Sequence, residues 1–566
     1  MSSQGKAEIE KVESRHTKAP SVSNTLTSAP KLLVCQSRLS LADKARMMRL
    51  KNLFSVLAVA ALAFGCSRQQ TEAEATKPAA TDNLLFRVHF AGTAAMTGNS
   101  NATYLTALAA LPESAAITTQ LCARVAALPA RLLSSSPTND CAMLLKPVLA
   151  EMLEGGFVLE LRGSGDRVTE MALAAKGTAK QTQGWNAALT DAAKNWFGSA
   201  PTKLSGDEGS ISGGGAMRVM ESKGWTILAV SGTDASNALA AIQSSLKSTT
   251  LEAGSVMQAE ISSRLLPGPV QRSVYGNFDR LKLTVSPSEQ NLKIRGTANY
   301  SRNLPPLTGS PFIPTNLITE PAISFTMVRR PGDWLEPKSA LRRFMPDPVP
   351  DTAFFWGGES SPYQLVMIVP FAGGRDEFNN KFGPALLDQL QPLAKAMDTG
   401  SLVLDTNRAG IQWQGVPFIG PQISVKNSGT NNYLVAEVFP PNDFPPGLTP
   451  ALLERVSGRT NLLLYDWEFT QLRFDTWFRI GQFALFSSGH QQLGADTLSK
   501  QWIFAAQTNM VSGGNTFTEI TQTSPRELSL NRRAPLAFTS TELFWLANWF
   551  ESTNFPAANF LMPMVE

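Results

Sequence analysis

Asp466 and Glu468 are separated by a single residue, Trp467. On an extended strand, residues two apart face the same side, so the two carboxylates would sit together. Like charges held that close raise one proton affinity and divide acid from base roles, as glycoside hydrolysis requires. The plainer expectation is a strand end that turns into a solvated loop at these residues. Few other residues offer chemistry. Beyond the first 65 positions the chain has two histidines, His89 in an alternating stretch and His490 among polar residues. Neither adjoins a recognisable nucleophile, so a histidine-based triad has no obvious members. The HExxH, CxxC, GxSxG, P-loop and dinucleotide patterns do not occur, and no metal or cofactor is expected. The glycine-rich run Gly209 to Gly215 is not followed by a lysine-bearing helix start and reads as a loop.

The triplet at Asp466 also resembles the end of the chitinase-type glycosidase motif, in which the last glutamate is the acid. That motif carries further acids and a glycine upstream, where this chain has Asn461, Leu462 and Leu464. The resemblance implies a (β/α)8 barrel, which a hairpin-rich pattern does not suggest. Ser244 and Lys247 match the serine–lysine spacing of penicillin-binding enzymes. They fall at the end of a predicted helix rather than its start, and read as a solvated last turn. Aromatic residues gather late in the chain. Trp545 and Trp549 lie four apart on the flank of a predicted helix whose apolar stripe is Leu543, Leu546, Ala547 and Phe550. Packing in a core is the expectation for this pair, and an aromatic surface for sugar, lipid or protein is the alternative. Thr539 and Glu542 spell a capping box at the start of that helix.

The chain has 566 residues, of which 43% are hydrophobic and 17% charged, enough for sizeable cores and unlike a disordered chain. Its net charge of +4 misleads. Residues 1–65 hold ten basic and four acidic groups, which leaves 40 basic and 42 acidic residues from position 66 onward. That body has no excess positive charge to attract phosphate, so nucleic acid is not an expected partner.

The leader is the most specific signal. Lys44, Arg46, Arg49 and Lys51 precede a 12-residue apolar run, Leu53 to Phe64, that ends at Gly65-Cys66. The run is shorter than the ~20 residues a membrane-crossing helix needs and fits a signal peptide. Here the chain resembles bacterial lipoprotein precursors, whose signal ends in a small residue and a cysteine that is lipidated and becomes the new N-terminus. The resemblance implies lipidation at Cys66, anchoring in the cell envelope, and the outer membrane where Ser67 rather than aspartate follows. Met47 or Met48 is the expected translation start. Of the other cysteines, Cys35 lies in the leader. Cys122 and Cys141 would enter an oxidising compartment together and are the expected disulfide. Two buried thiols are the alternative.

Residues 66–83 read as a flexible tether. A first domain is expected over 84–302, a proline-rich linker over 303–316 with four prolines, and a second domain over 317–566. Each domain mixes hairpins with helices, so the fold class expected is α+β: two halves of antiparallel strands with packed helices. Strands are predicted at 84–90, 156–162, 168–175, 255–262, 280–286, 292–299, 322–328, 364–370, 401–405, 410–414, 432–438 and 460–465. Hairpins are predicted at 217–230 and 515–531. Helices are predicted at 102–111, 116–134, 142–153, 183–197, 375–397, 448–457, 470–486 and 537–551, with one more capped by Asp234. No residue-level repeat relates the halves. The functional expectation is a membrane-anchored envelope protein of non-enzymatic binding or assembly role, with an envelope protein or polysaccharide as partner. A carbohydrate-active hydrolase using Asp466 and Glu468 is the first alternative, and a structural spacer the second.

Overall fold

The computed structural model describes residues 83–551, apart from interior stretches of which the longest are 127–141, 204–210, 440–447 and 488–496. The leader, Cys66, the tether up to residue 82, Cys141 and His490 therefore lie outside the described residues.

Alternating apolar stretches build twenty strands among the described residues, all hydrogen-bonded into one sheet. The first ten are β1 (Leu84–Phe90), β2 (Phe157–Ser164), β3 (Arg167–Lys176), β4 (Thr202–Lys203), β5 (Ile211–Gly213), β6 (Met217–Ser222), β7 (Trp225–Ser231), β8 (Met257–Ile261), β9 (Arg280–Ser288) and β10 (Asn291–Asn299). The second ten are β11 (Ala322–Arg329), β12 (Thr352–Gly358), β13 (Leu365–Phe371), β14 (Ser401–Asp405), β15 (Gly410–Gln414), β16 (Gln422–Ser428), β17 (Asn431–Glu437), β18 (Leu462–Phe469), β19 (Asn515–Ser524) and β20 (Glu527–Ala534). Every pairing is antiparallel. The chain is thus a mixed α+β protein.

The pairings run from β4 through β5, β6, β7, β3, β2, β1, β8 and β9 to β10. From the other edge they run from β14 through β15, β16, β17, β13, β12, β11, β18 and β19 to β20. The second order is the first with ten added to each strand number. The runs meet where β10 pairs with β20, and Arg295 stands opposite Asn531. Around that pair the register is self-consistent under a two-fold rotation. Leu292 faces Ala534 as Ala298 faces Leu528. Irregularities also match: a bulge falls between Leu84 and Phe86 on β1 and between Ala322 and Ser324 on β11.

Helices cover both faces. In the first run these are α1 (Pro112–Ala126), α2 (Ala142–Gly155), α3 (Ala179–Phe197) and α4 (Ser236–Ser248). In the second they are α5 (Gly383–Met397), α6 (Pro450–Val456), α7 (Thr470–Ser487), α8 (Leu498–Asn509) and α9 (Ser540–Glu551). Leu145 of α2 and Leu189 and Ala192 of α3 pack on Met171, Leu228 and Val230. The alternate residues Ala172, Ala174, Ile227 and Ala229 face Ala238 and Ile242 of α4 on the other side. α5 and α6 repeat this arrangement. Leu386 and Leu390 meet Val369 and Phe371, while Leu452 and Val456 meet Val366 and Ile368.

β1 is an inner strand between β2 and β8, with Arg87 and His89 half-buried. Within the proline-rich stretch Leu304 is buried, its amide donates to the Pro525 carbonyl, and Arg329 donates to the carbonyls of Thr308 and Gly309.

Candidate functional site

Strand β18 continues through Asp466 and Glu468 to Phe469, so these residues do not form the solvated turn expected of them. Both carboxylates fall on one face of β18, the one met by α7 and the start of α9, as the spacing of two requires. Opposite them stand Thr326 and Ser324 on β11, and Thr518 and Thr516 on β19. The chain leaves β18 directly into α7, which folds Arg473 back over the same face. The start of α9 closes the site from the other side.

Each group has a defined partner. The Thr326 hydroxyl donates to Asp466 Oδ1 at 2.6 Å. The Ser540 amide and hydroxyl both lie 2.5 Å from the Glu468 carboxyl oxygens. Arg532 on β20 donates to Thr518 Oγ1 at 2.9 Å and grips both Glu542 oxygens at 2.6 and 2.9 Å. Arg473 is packed differently. Its guanidinium carbon lies 4.7 Å from the centre of the Trp477 ring, and its Nη1 makes no hydrogen bond among the described residues. Gly357 makes room for it, since a Cβ there would lie 2.7 Å from Nη1.

The electrostatics follow from burial. Glu468 is 4% exposed, and burial together with the neighbouring Asp466 carboxyl pushes its pKa up to about 8. Burial also raises Asp466, against the opposing hydrogen bond from Thr326. Burial lowers Arg473, although both acids favour its charge. For Arg532 burial likewise disfavours the charge, but the Glu542 carboxylate more than offsets it. Burial and Asp466 thus favour the protonated form of Glu468, against the Ser540 amide and hydroxyl, each of which donates to one of its oxygens.

A glycosidase pair needs one acid reachable by the leaving group and a second facing a nucleophilic path or water. Glu468 is committed to the first residue of α9 and is closed from solvent. The arrangement ties α9 to the sheet, which is a structural task.

The first run carries no such cluster at the corresponding positions. Phe86 pairs with Ile261 where Ser324 pairs with Glu468, and Val88 with Ala259 where Thr326 pairs with Asp466. Its buried charges are on the opposite face. Arg87 reaches Glu160 at 2.7 Å, Glu260 at 3.1 Å and Ser245 at 2.8 Å, and Arg162 donates to the second Glu160 oxygen at 2.9 Å. Burial opposes ionisation of Glu160, yet Ser245 and the two arginines outweigh it and hold the carboxyl below its ordinary range. Ser245 thus faces inward, while Ser244 and Lys247 are exposed in the last turn of α4, as expected of them.

Trp545 and Trp549 are half-buried on α9, and Trp549 stacks on Phe550 with ring centres 6.0 Å apart. Of the predicted stripe, Leu543 is buried in the cluster of Phe474 and Ile503 and Ala547 packs against it, as does Phe544 from outside the stripe. The capping box forms: the Thr539 amide donates to Glu542 and the Glu542 amide to Thr539 Oγ1. Cys122 is buried in α1 and forms no disulfide among the described residues, and Cys141 is outside them. His89 has its charged form disfavoured by burial and by Lys176. Among the described residues no group of three or more potential metal ligands occurs.

Arg473, Arg532 and Ser540 were not singled out from sequence. Only parity could have found Arg532, which falls on the Asp466 face once the β18–β19–β20 register is known.

The chain matches no protein-family model, no curated protein and no solved structure.

Proposed function

We propose that this chain is a lipid-anchored protein of the bacterial cell envelope that works by presenting surfaces for binding or assembly and not by catalysis. The anchor is the lipidated Cys66, at the outer membrane where the cell has one, and the partners are an envelope protein or polysaccharide. The leader supports the anchoring: a positive stretch, a 12-residue apolar run and Gly65-Cys66 in sequence. No helix among the described residues is long and apolar enough to cross a membrane.

One observation carries the non-catalytic part. The best acid pair in the chain is used internally, with Glu468 closed beneath α9 on Ser540. The hydrolase reading drew its support from that pair. The repeated strand order supports a finer reading as well. The body is two α+β halves, 84–302 and 317–566, descended from one duplicated unit and fused edge to edge at β10 and β20.

The test is a screen of the purified protein against envelope polysaccharides and peptidoglycan fragments, with Glu468→Gln alongside. The expected outcome is no turnover by either protein. Turnover lost in Glu468→Gln, where general acid catalysis alone contributes ~10²–10⁴ in rate, would restore the hydrolase reading.

A further inference from the structure

The described chain begins at the edge of a basic surface. The Asn83 carbonyl accepts from the Gly163 amide, and the Leu84 carbonyl accepts from Arg280 at 2.6 Å and Arg264 at 3.3 Å. From there a set of loops is joined by direct contacts. The Val274 amide donates to the Asp333 carbonyl, and Arg272 pairs with Glu336 at 2.6 Å. Arg330 donates to the Pro306 carbonyl, the Leu304 amide to Pro525, and Arg526 to Asn303 at 2.8 Å. Beneath them is one apolar cluster that includes Tyr275, Phe278, Tyr300 and Leu304, with Trp334 against it. The loops therefore form one continuous surface.

Basic groups outnumber acidic ones on it. With the Arg330–Asp333 and Arg329–Asp351 pairs set aside, these loops and their flanks carry Arg264, Arg272, Arg280, Arg302, Lys338, Arg342 and Arg526. Against them stand Asp279, Glu336, Asp347, Glu527 and Glu260, which pairs with Arg280 at 3.7 Å. Arg272, Arg302, Lys338 and Arg526 are exposed. The body as a whole has 42 acidic and 40 basic residues, so the local surplus runs against the average. Phe312 stands three residues after Gly309, which Arg329 holds, and is 57% exposed, the most exposed large hydrophobic residue among those described.

We infer that this loop surface rests on an anionic phospholipid surface, with the exposed cations against headgroup phosphates and Phe312 at the acyl boundary. The inference rests on the lipid-anchor reading. Sixteen residues separate Cys66 from Asn83. That is a span of at most ~60 Å, so an anchored chain holds β1 and its surrounding loops at high local concentration near the bilayer. Basic groups close to an anionic surface gain roughly fivefold in association each, and an aromatic side chain at the interface adds apolar contact.

The test uses the full, lipidated protein on phosphatidylcholine vesicles with and without phosphatidylglycerol. Amide hydrogen exchange is followed over 301–313, and incorporation of a palmitate analogue at Cys66 is measured on the same sample. The expected result is exchange over 301–313 about tenfold slower with phosphatidylglycerol present. The triple variant Arg302→Gln, Lys338→Gln, Arg526→Gln should lose that difference while its β18 amides exchange as in the parent. Equal exchange on both vesicle types with Cys66 labelled overturns the docking surface and leaves the anchor standing, as does a triple variant that keeps the difference. Absence of label at Cys66 overturns both.

Discussion

Glu468 shows what a carboxyl group does when burial and a like neighbour act together. Its folded pKa is raised to about 8 from 4.5, so the fold holds this proton more tightly than the unfolded chain does. The contribution is fully present below pH 4.5 and is lost as pH rises through about 8. Thermal melts across that window should show stability falling with pH in the parent and a flatter profile in Glu468→Gln, which has no proton to lose. Equal slopes in the two proteins would show that Glu468 does not titrate as the geometry requires. The spacing of Asp466 and Glu468 foretold their shared face, and it foretold that one pKa would rise. What covers them was not legible. Ser540 is 72 residues away and Arg532 two strands over, and no local pattern links them to β18.

Capping at α9 is local chemistry, and there the sequence was a sufficient guide. Thr539 and Glu542 satisfy each other's amides across the first turn. Thr539→Ala should cost about 1 kcal/mol in a denaturant titration, and no change would mean that the Glu468–Ser540 contact alone holds the turn. Asp234 likewise accepts from the Ser236 amide at the start of α4, as its position suggested. Strands with clean alternation between turn residues were legible to within a few positions, and the hairpin of β6 and β7 turns at Lys223 and Gly224, both at positive φ. β12 and β16 were not foreseen. The end of β12 is Gly357-Gly358, and β16 carries Lys426 and Asn427, residues that weaken a strand pattern until a neighbouring strand supplies the hydrogen bonds. Helix α8 was also missed, because its apolar residues do not keep to a single stripe. At this scale the cysteines give a further prediction. α1, which carries Cys122, packs against α2, which starts one residue after Cys141. Non-reducing peptide mapping of exported protein should recover a Cys122–Cys141 link. Two alkylatable thiols would establish the buried-thiol alternative instead.

Twenty strands in one antiparallel sheet, ordered alike from both edges, could not be read from the sequence. Matching strand positions carry unlike residues, such as Ile261 against Glu468 and Ala259 against Asp466. Hydrophobic patterning specifies which residues become strands, but the order in which strands pair depends on contacts far apart in the chain. The opposite holds for the proposed anchor, whose signal lies wholly in consecutive residues and needs no fold. Lipidation at Cys66 is the claim on which localisation, the tether and the docking surface all depend. The direct measurement is metabolic labelling with a palmitate analogue followed by membrane fractionation, for the parent and for Cys66→Ser. The account predicts labelled, membrane-bound parent protein and an unlabelled Cys66→Ser variant that is no longer held through a lipid and can be extracted without detergent. Equal labelling of both proteins, or no labelling of the parent, would contradict it.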